Sequence, residues 1–207
     1  MFNKEFGVFS FLMCLVLVSV VGCYQVIVTG PSGESVTTGP TSSKHQLKIF
    51  RHARATLGDE DQDADKILKA ATDVAKSNPD CNATLTRDGD VEEFTWQQED
   101  EVGVVSSKYD FEAVTSSRGV KVVKDVQWCG ASETFGAYWG CALIPGIAMV
   151  VKRVPYQDNP DYETEGILWL HELGHAYGLY HVENYPKRVM LPGIAPEHKK
   201  LTKSECG

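Results

Sequence analysis

Three histidines and a glutamate fall within residues 171–181, at spacings that suit a single metal ion. His171 and His175 are four residues apart, so on a helix they share a face and can reach the same ion. Gly178 allows the backbone to leave the helix, which can bring His181 back as a third ligand. Three neutral imidazoles with one position left for water predict a catalytic zinc site, whereas a structural site fills all four positions.

Glu172 follows the first histidine and is predicted to be the general base. A zinc-activated water would lose its proton to this carboxylate and attack a peptide carbonyl, so no nucleophilic side chain is needed. An ordinary amphipathic helix is the alternative for H-E-x-x-H. However, three of the six histidines of the chain stand at metal-binding spacing. We therefore predict one catalytic Zn²⁺ and a hydrolase.

The motif H-E-x-x-H-x-x-G-x-x-H, followed by Met190 nine residues beyond the last histidine, resembles the metzincin zinc peptidases. In that family a methionine turn lies beneath the metal, and Lys187–Gly193 would form it here. Pro192 stands where some relatives carry a metal-binding tyrosine, so no tyrosine ligand is expected. Val182, the residue after the third histidine, differs from the residue that matrixins, astacins, adamalysins and serralysins usually carry at this position. The resemblance is to a compact, matrixin-like form and implies a zinc metalloendopeptidase.

The resemblance also implies an α+β fold. It would consist of a twisted mixed β-sheet, a backing helix, an active-site helix and the Met-turn below the zinc. The apolar patterns of the chain fit this order. They predict strands at 46–56, 83–86, 120–129 and 147–154, a backing helix at 63–76 and the zinc helix at 161–179.

Residues 138–146 occupy the place of the family's edge strand, which can pair with an extended peptide. The predicted partner is a protein or peptide bound in extended form, with an apolar side chain preferred beside the metal. The predicted substrate contacts are Ala142, Leu143, Leu191, Pro192, Gly193 and Ile194. The chain is expected to act as a monomer.

The N-terminus reads as a targeting segment. The apolar run 8–21 suits the core of a signal peptide over 1–22, and Val20-Val21-Gly22-Cys23 resembles a bacterial lipobox, which predicts lipidation of Cys23. Ordinary cleavage and free secretion are the alternative. Residues 29–44 are rich in Gly, Ser, Thr and Pro, so 23–44 is predicted to be a lipidated, flexible tether, which leaves 45–207 as the catalytic domain. The predicted location is the bacterial cell envelope, with the outer membrane favoured if the cell has two membranes.

Four cysteines remain in the predicted mature domain, an even number that in an exported protein favours disulfides. Cys129 and Cys141 bracket a glycine-containing loop, so the favoured pairs are Cys129–Cys141 and Cys81–Cys206. The sequence alone allows three pairings. A four-thiolate zinc site is the alternative, although it lacks C-x-x-C spacing.

The net charge of −8 argues against nucleic-acid binding, because such binding usually depends on a basic surface. No nucleic-acid partner is therefore expected. Many of the acidic residues lie in 59–65, just before the apolar helical pattern that begins at Ile67, and carboxylates at a helix N-terminus interact favourably with the helix dipole. Alternate aspartates there could bind Ca²⁺, although no glycine stands where a calcium loop would turn.

A second function from a different class is a zinc- or peptide-binding envelope lipoprotein whose catalysis has lapsed. The intact Glu172 argues against it, because a binding protein has no physical need for a general base.

Overall fold

The structure is a computed structural model, and it describes residues 43–96, 102–130, 138–154, 160–183 and 185–206. The predicted signal peptide, the lipidation site Cys23 and most of the predicted tether lie outside the described residues. Ser43 and Lys44, which the sequence pattern assigned to the tether, belong to the first strand. Within the described ranges, no helix combines the length and the apolar character needed to cross a bilayer.

A mixed sheet of five strands, mostly parallel, forms the centre of the described domain. Its strand order is β4-β2-β6-β9-β8, and only β8 runs antiparallel, against β9. Two short parallel pairs, β1 with β3 and β5 with β7, accompany it. The nine strands are β1 Ser43–Leu47, β2 Ile49–His52, β3 Ala83–Arg87, β4 Glu92–Phe94, β5 Val104–Val105, β6 Gly119–Val123, β7 Asp125–Val126, β8 Gly140–Ala142 and β9 Ala148–Lys152.

The first and third predicted strands are each divided in two. The stretch 46–56 becomes β1 and β2, because the chain leaves β3 and joins the central sheet on either side of Lys48. Residues 53–56 then form a turn, closed by the Ala55 N–H on the His52 carbonyl. The stretch 120–129 becomes β6 and β7. No sequence pattern predicted β4 or β5.

In the described ranges, three α-helices flank the sheet: α1 (Glu60–Lys76), α2 (Lys108–Val114) and α3 (Tyr162–Ala176). α1 and α3 lie on one face. The apolar residues of α1 that the sequence pattern places on one side are buried there, with Ile67 and Ala71 fully inaccessible. They join Trp169 and Leu173 of α3 and the inward side chains of β2, β6 and β9 in the main core.

Gly166 brings the backbones of α1 and α3 into close contact. A Cβ at this position would lie 2.6 Å from the Ala71 nitrogen and 2.8 Å from the Ala70 Cβ. Two helices can approach this closely only where one of them has no side chain. α1 is therefore a tight backing for the helix that carries the metal motif.

A polar network also joins α1, α3 and the end of β9. Arg153 Nε donates to Glu165 Oε1 at 2.7 Å, and its Nη1 donates to Asp63 Oδ2 at 3.2 Å. The Tyr162 hydroxyl donates to the other oxygen of Asp63 at 2.5 Å. Glu165 is 1% exposed and Asp63 5%, so the pairing with Arg153 compensates two carboxylates that would otherwise be buried alone.

The acidic residues at the start of α1 also pair with cations. Asp61 and Asp65 both pair with Arg87, at 2.9 Å and 3.1 Å, and Glu60 pairs with Arg51 at 2.6 Å. Glu60 and Asp61 also lie in the first turn of α1, where their charge favours the helix dipole. Cation pairing and helix electrostatics thus account for these acidic side chains.

α2 covers the opposite face of the sheet. Its Phe111 and Val114 pack with Val123, Val126 and Val150 in a second core cluster. The cysteines stand in the two predicted pairs, with Cα–Cα distances of 5.6 Å for Cys129–Cys141 and 5.2 Å for Cys81–Cys206. The first pair holds the edge strand β8 beside the segment that follows β7. The second ties the C-terminal segment to the end of α1.

Candidate metal centre

α3 has clear local reasons to begin and end where it does. At its start, Asp161 accepts a hydrogen bond from the Thr164 N–H, the capping interaction that satisfies a free helix donor. At its end, Gly178 has φ +94°, a left-handed conformation that a side chain would strain. The Gly178 N–H bonds the His175 carbonyl and the Leu179 N–H bonds the Gly174 carbonyl. The helix therefore stops abruptly, and the chain turns back toward its own last turn.

This turn brings three imidazoles together. The Nε2 atoms of His171 and His175 are 3.1 Å apart, those of His175 and His181 are 3.0 Å apart, and those of His181 and His171 are 3.3 Å apart. A tetrahedral zinc ion with bonds of about 2.0–2.1 Å separates neighbouring ligand atoms by about 3.3 Å. Among the described residues, this triad is the one set of three or more potential ligands that converges on a single point.

Backbone carbonyls set the tautomers of two of these histidines. The Nδ1 of His171 lies 2.7 Å from the Val189 oxygen, and the Nδ1 of His175 lies 2.7 Å from the Leu179 oxygen. A carbonyl can only accept, so each Nδ1 carries the hydrogen and each Nε2 presents a lone pair. Hydrogen bonds of this kind orient metal-binding histidines.

Burial keeps the three imidazoles neutral. It lowers the pKa of His171 to about 3, and it also lowers the pKa values of His175 and His181. Neutral imidazole is the form that binds a metal, and three such ligands would leave the whole charge of a dication in the site. The donor set, the spacing and the protonation state all fit Zn²⁺.

Glu172 lies beside the triad and is 4% exposed. Its Oε2 is buried with no hydrogen-bond partner in the described part of the chain, and burial raises the pKa of this carboxyl to about 8. Across from it stands Gly140 of β8, where a Cβ would lie 2.5 Å from Glu172 Oε1. A buried carboxylate without partners is costly unless a positive charge or a substrate proton compensates it.

Met190 is 1% exposed and lies against the helix between the first two histidines. A Cβ at Gly174 would come within 2.6 Å of its sulfur. The Met190 carbonyl accepts the Val182 N–H at 2.9 Å, and the preceding carbonyl, that of Val189, orients His171. The segment around Met190 thus positions ligands at both ends of the motif without supplying one itself.

The triad and Glu172 open into a cavity of about 840 Å³. Its lining includes the edge strand β8 with the loop after it, and the segment after Met190. The Cys129–Cys141 disulfide and Phe111 of α2 also line it. The cavity is large enough for several residues of an extended chain.

The sequence matches no known family model and no curated protein. The solved structures that are similar to this chain include three with 15% sequence identity. The archaemetzincin of Methanopyrus kandleri has a TM-score of 0.48 and covers 74% of this chain and 87% of its own. That of Archaeoglobus fulgidus has a TM-score of 0.41, with 70% and 85% covered. For metalloproteinase-II of Bacteroides fragilis the TM-score is 0.43, with 82% and 52% covered. Similarity this distant assigns neither a fold nor a function to this chain. Both have to follow from the chain's own geometry.

The predicted substrate contacts mostly border this cavity. Five of the six predicted residues line the cavity, namely Ala142, Leu143, Pro192, Gly193 and Ile194. The sixth, Leu191, does not belong to the lining that the structure describes. Trp139 and Gly140 lie in the predicted edge-strand segment 138–146 but were not among the predicted contacts, and no sequence pattern predicted Phe111. The role of Gly140 arises from a contact across 32 residues, so no local pattern could indicate it. α2, which carries Phe111, has a local signal in its cap, since Ser107 accepts the Asp110 N–H.

Proposed function

We propose that this chain is a zinc-dependent endopeptidase of the metzincin type. One observation carries the proposal: three Nε2 atoms converge within 3.0–3.3 Å on the wall of a cavity where Glu172 stands buried and unpaired. An amphipathic helix with chance histidines would not bury a carboxylate beside them. The ion of a lapsed zinc-binding protein would compensate this burial as well, but such a protein has no physical need for a proton acceptor beside the metal.

His171, His175 and His181 would hold the ion. Bound zinc supplies the charge that polarises a carbonyl group and lowers the pKa of a water molecule. Glu172 Oε2 has the free lone pairs to accept the proton of the attacking water, and the same oxygen can deliver it to the leaving amine. A nearby dication favours the ionised carboxylate and so opposes the effect of burial on the pKa of Glu172. No nucleophilic side chain takes part in this scheme.

The substrate is proposed to be a protein or peptide in extended form. β8 is the edge of the central sheet, and among the residues that the structure describes it pairs with β9 alone, so its other edge can bind a further strand. It borders the cavity directly, and Gly140 at its start faces Glu172. A peptide added to this edge would pass the histidine triad. The apolar residues that line the cavity favour an apolar side chain there.

The assignment to a metzincin type, close to the matrixins, rests on the motif and on Met190. Metzincins carry a methionine turn after H-E-x-x-H-x-x-G-x-x-H. Here the buried Met190 lies beneath Gly174 of the motif helix, and Pro192 excludes a tyrosine ligand at its position. These features support a three-histidine site with no further protein ligand.

We also propose that the protein is exported, anchored to the bacterial envelope by lipid on Cys23, and monomeric. The apolar N-terminal run, the lipobox-like sequence and the two cysteine pairs support export. The test is membrane fractionation of the full chain and its Cys23→Ser variant. Wild type should sediment with membranes, and the variant should become soluble or remain unprocessed. A variant that still matures and sediments with membranes would overturn the anchor.

The enzymatic proposal is tested by metal analysis together with hydrolysis of a reduced, alkylated protein. We expect one zinc per chain, cleavage that stops after removal of zinc by 1,10-phenanthroline, and recovery when Zn²⁺ but not Mg²⁺ is added back. Zinc without cleavage of any unfolded substrate would favour the lapsed, binding function. Cleavage that survives complete loss of zinc would exclude the metallopeptidase.

A further inference from the structure

A second cavity, of about 320 Å³, lies on the face of the sheet that α2 covers. It is separate from the histidine cavity, and α2 contributes to both. Phe111 lines the histidine cavity, and Val114, one turn later, lines this one. The volume lies at the lower end of the range of small-molecule sites. Neither the zinc motif nor the proposed hydrolysis makes use of it.

Lys121, in the middle of β6, is the unusual member of this cavity. The side chain is 2% exposed, and its Nζ lies 3.4 Å from the centre of the Phe50 ring and 5.4 Å from that of Phe94. Its one hydrogen bond goes to Ser117 Oγ at 2.8 Å. Within the described part of the chain, no carboxylate lies within salt-bridge distance of Nζ. Aromatic faces compensate part of the cost of a buried ammonium, but they leave two of its N–H donors unused.

Trp96 provides a second unused donor in the same cavity. Its side chain lines the cavity wall, and its Nε1 is buried without a hydrogen-bond partner among the residues that the structure describes. A buried indole N–H ordinarily finds an acceptor. Lys121 and Trp96 are donors only, so what they share is a need for a bound acceptor.

We propose that this cavity is a binding site for a small molecule with one carboxylate and an apolar body. The carboxylate would accept from Lys121 Nζ and from the indole N–H of Trp96. The apolar body would contact Phe50, Phe94 and Val114. One cation and one neutral donor match a single negative charge, and the aromatic and aliphatic walls match an aryl or branched alkyl group.

The charges around Lys121 agree with this occupant. Burial lowers the pKa of Lys121 to about 8; the positive charge of Lys48 acts in the same direction, and the negative charge of Glu92 opposes both. The ammonium form still predominates at neutral pH. A carboxylate in the cavity would therefore meet a cation that has lost most of its hydration.

The test uses phenylacetate as the anionic probe and phenylacetamide as its neutral match, titrated into the zinc-loaded full chain. The readout is the set of four indole N–H resonances in NMR spectra, one for each tryptophan. The Trp96 signal is identified by its loss in Trp96→Phe. Trp139 lines the histidine cavity, so its signal reports separately on any binding at the metal.

We expect phenylacetate to shift the Trp96 resonance until the site is saturated. At the same concentration, phenylacetamide should shift it at least ten-fold less. Lys121→Met keeps the length and apolar stem of the side chain and should abolish the shift, while peptide hydrolysis is unchanged. Lys69→Met, at a site that is 75% exposed, is the matched control and should bind like wild type. The proposal is overturned if phenylacetate leaves the Trp96 signal unmoved, if phenylacetamide moves it equally, or if Lys121→Met responds like wild type.

Discussion

Gly140 of β8 packs directly against the side chain of Glu172. A Cβ at position 140 would lie 2.5 Å from Oε1, 2.7 Å from Cγ and 2.8 Å from Cδ of the glutamate. The edge strand that is proposed to bind substrate is therefore packed against the proposed general base. The absence of a side chain at residue 140 is what allows Glu172 to stand beside the histidine triad.

Gly140→Ala should therefore reduce hydrolysis without removing the metal. The new methyl group would displace the carboxylate, and a shift of about 1 Å in a reacting group can reduce the rate about a hundred-fold. Zinc content should stay at wild-type level because the three atoms nearest to the added methyl group all belong to Glu172 and none to a histidine. The measurement is kcat together with metal analysis.

Gly89→Ala is the control for this variant. Gly89 has φ +77°, and a methyl group added there would have no neighbour within 4 Å, so the change strains a distant turn and nothing at the site. Activity per folded molecule should match wild type. Equal losses in the two variants would show that Gly140 contributes only to stability.

Met190 and Gly174 should behave as a coupled pair. Gly174→Ala places a methyl group 2.6 Å from the Met190 sulfur, so the clash should outweigh the gain in helix propensity of about 1 kcal/mol. Adding Met190→Ala should relieve the clash, and the two free-energy changes should fail to add by about 1 kcal/mol or more. Urea unfolding of the metal-free single and double variants measures this coupling. Additive changes would place the two residues out of contact.

The pH dependence of stability should report on Glu172. Burial raises its pKa in the folded, metal-free protein to about 8, against 4.5 when exposed. A folded group with a raised pKa binds more protons than the unfolded chain, so its contribution is present below the lower value and is lost as pH rises through the higher one. We expect Glu172→Gln to gain stability relative to wild type between about pH 5 and about pH 8, by at most about 1.4 kcal/mol per pH unit.

The measurement is urea unfolding of both proteins with chelator at the two pH values. The histidines titrate in both variants, so their effect cancels in the difference. Parallel pH profiles would show that Glu172 is ionised in the metal-free protein, contrary to the burial argument.

Arg153 should be essential for the packing of α1 against α3. Arg153→Met leaves Glu165 and Asp63 buried with fewer partners, and removing one member of a buried ion pair costs about 3–5 kcal/mol. Glu165→Gln in the same chain should recover part of the loss, because it removes one of the uncompensated charges. Lys69→Met breaks an exposed pair and should cost less than about 1 kcal/mol. A loss in Arg153→Met no larger than in Lys69→Met would contradict the role given to the network.

The sequence contains the metal site almost completely, because its ligands lie on one helix turn and one glycine turn. The spacing from His171 to His181 and the cap at Asp161 are local signals, and the structure places α3 within a few residues of the predicted bounds. The surroundings of the ligands could not be predicted in this way. The positions of Gly140, Phe111 and the Lys121 cavity depend on which strands become neighbours, and strand order is a long-range property.

The boundaries of several strands were predicted incorrectly for a related reason. A strand pattern alternates in the same way whichever partner it has, so the break at Lys48 between β1 and β2 leaves no mark in the periodicity. β4 and β5 are two or three residues long, too short for any alternation to show. α2 buries only Phe111 and Val114, so its apolar face is too small to stand out.

The most direct test of the central claim is the hydrolysis rate of the zinc-loaded Glu172→Gln variant on an unfolded protein substrate. Glutamine keeps the shape of the side chain but cannot accept the proton of the attacking water. The account predicts one zinc per chain in both proteins and a rate at least about a thousand-fold lower in the variant, within the range that general-base catalysis contributes. A variant that binds zinc and cleaves the substrate at the wild-type rate would contradict it.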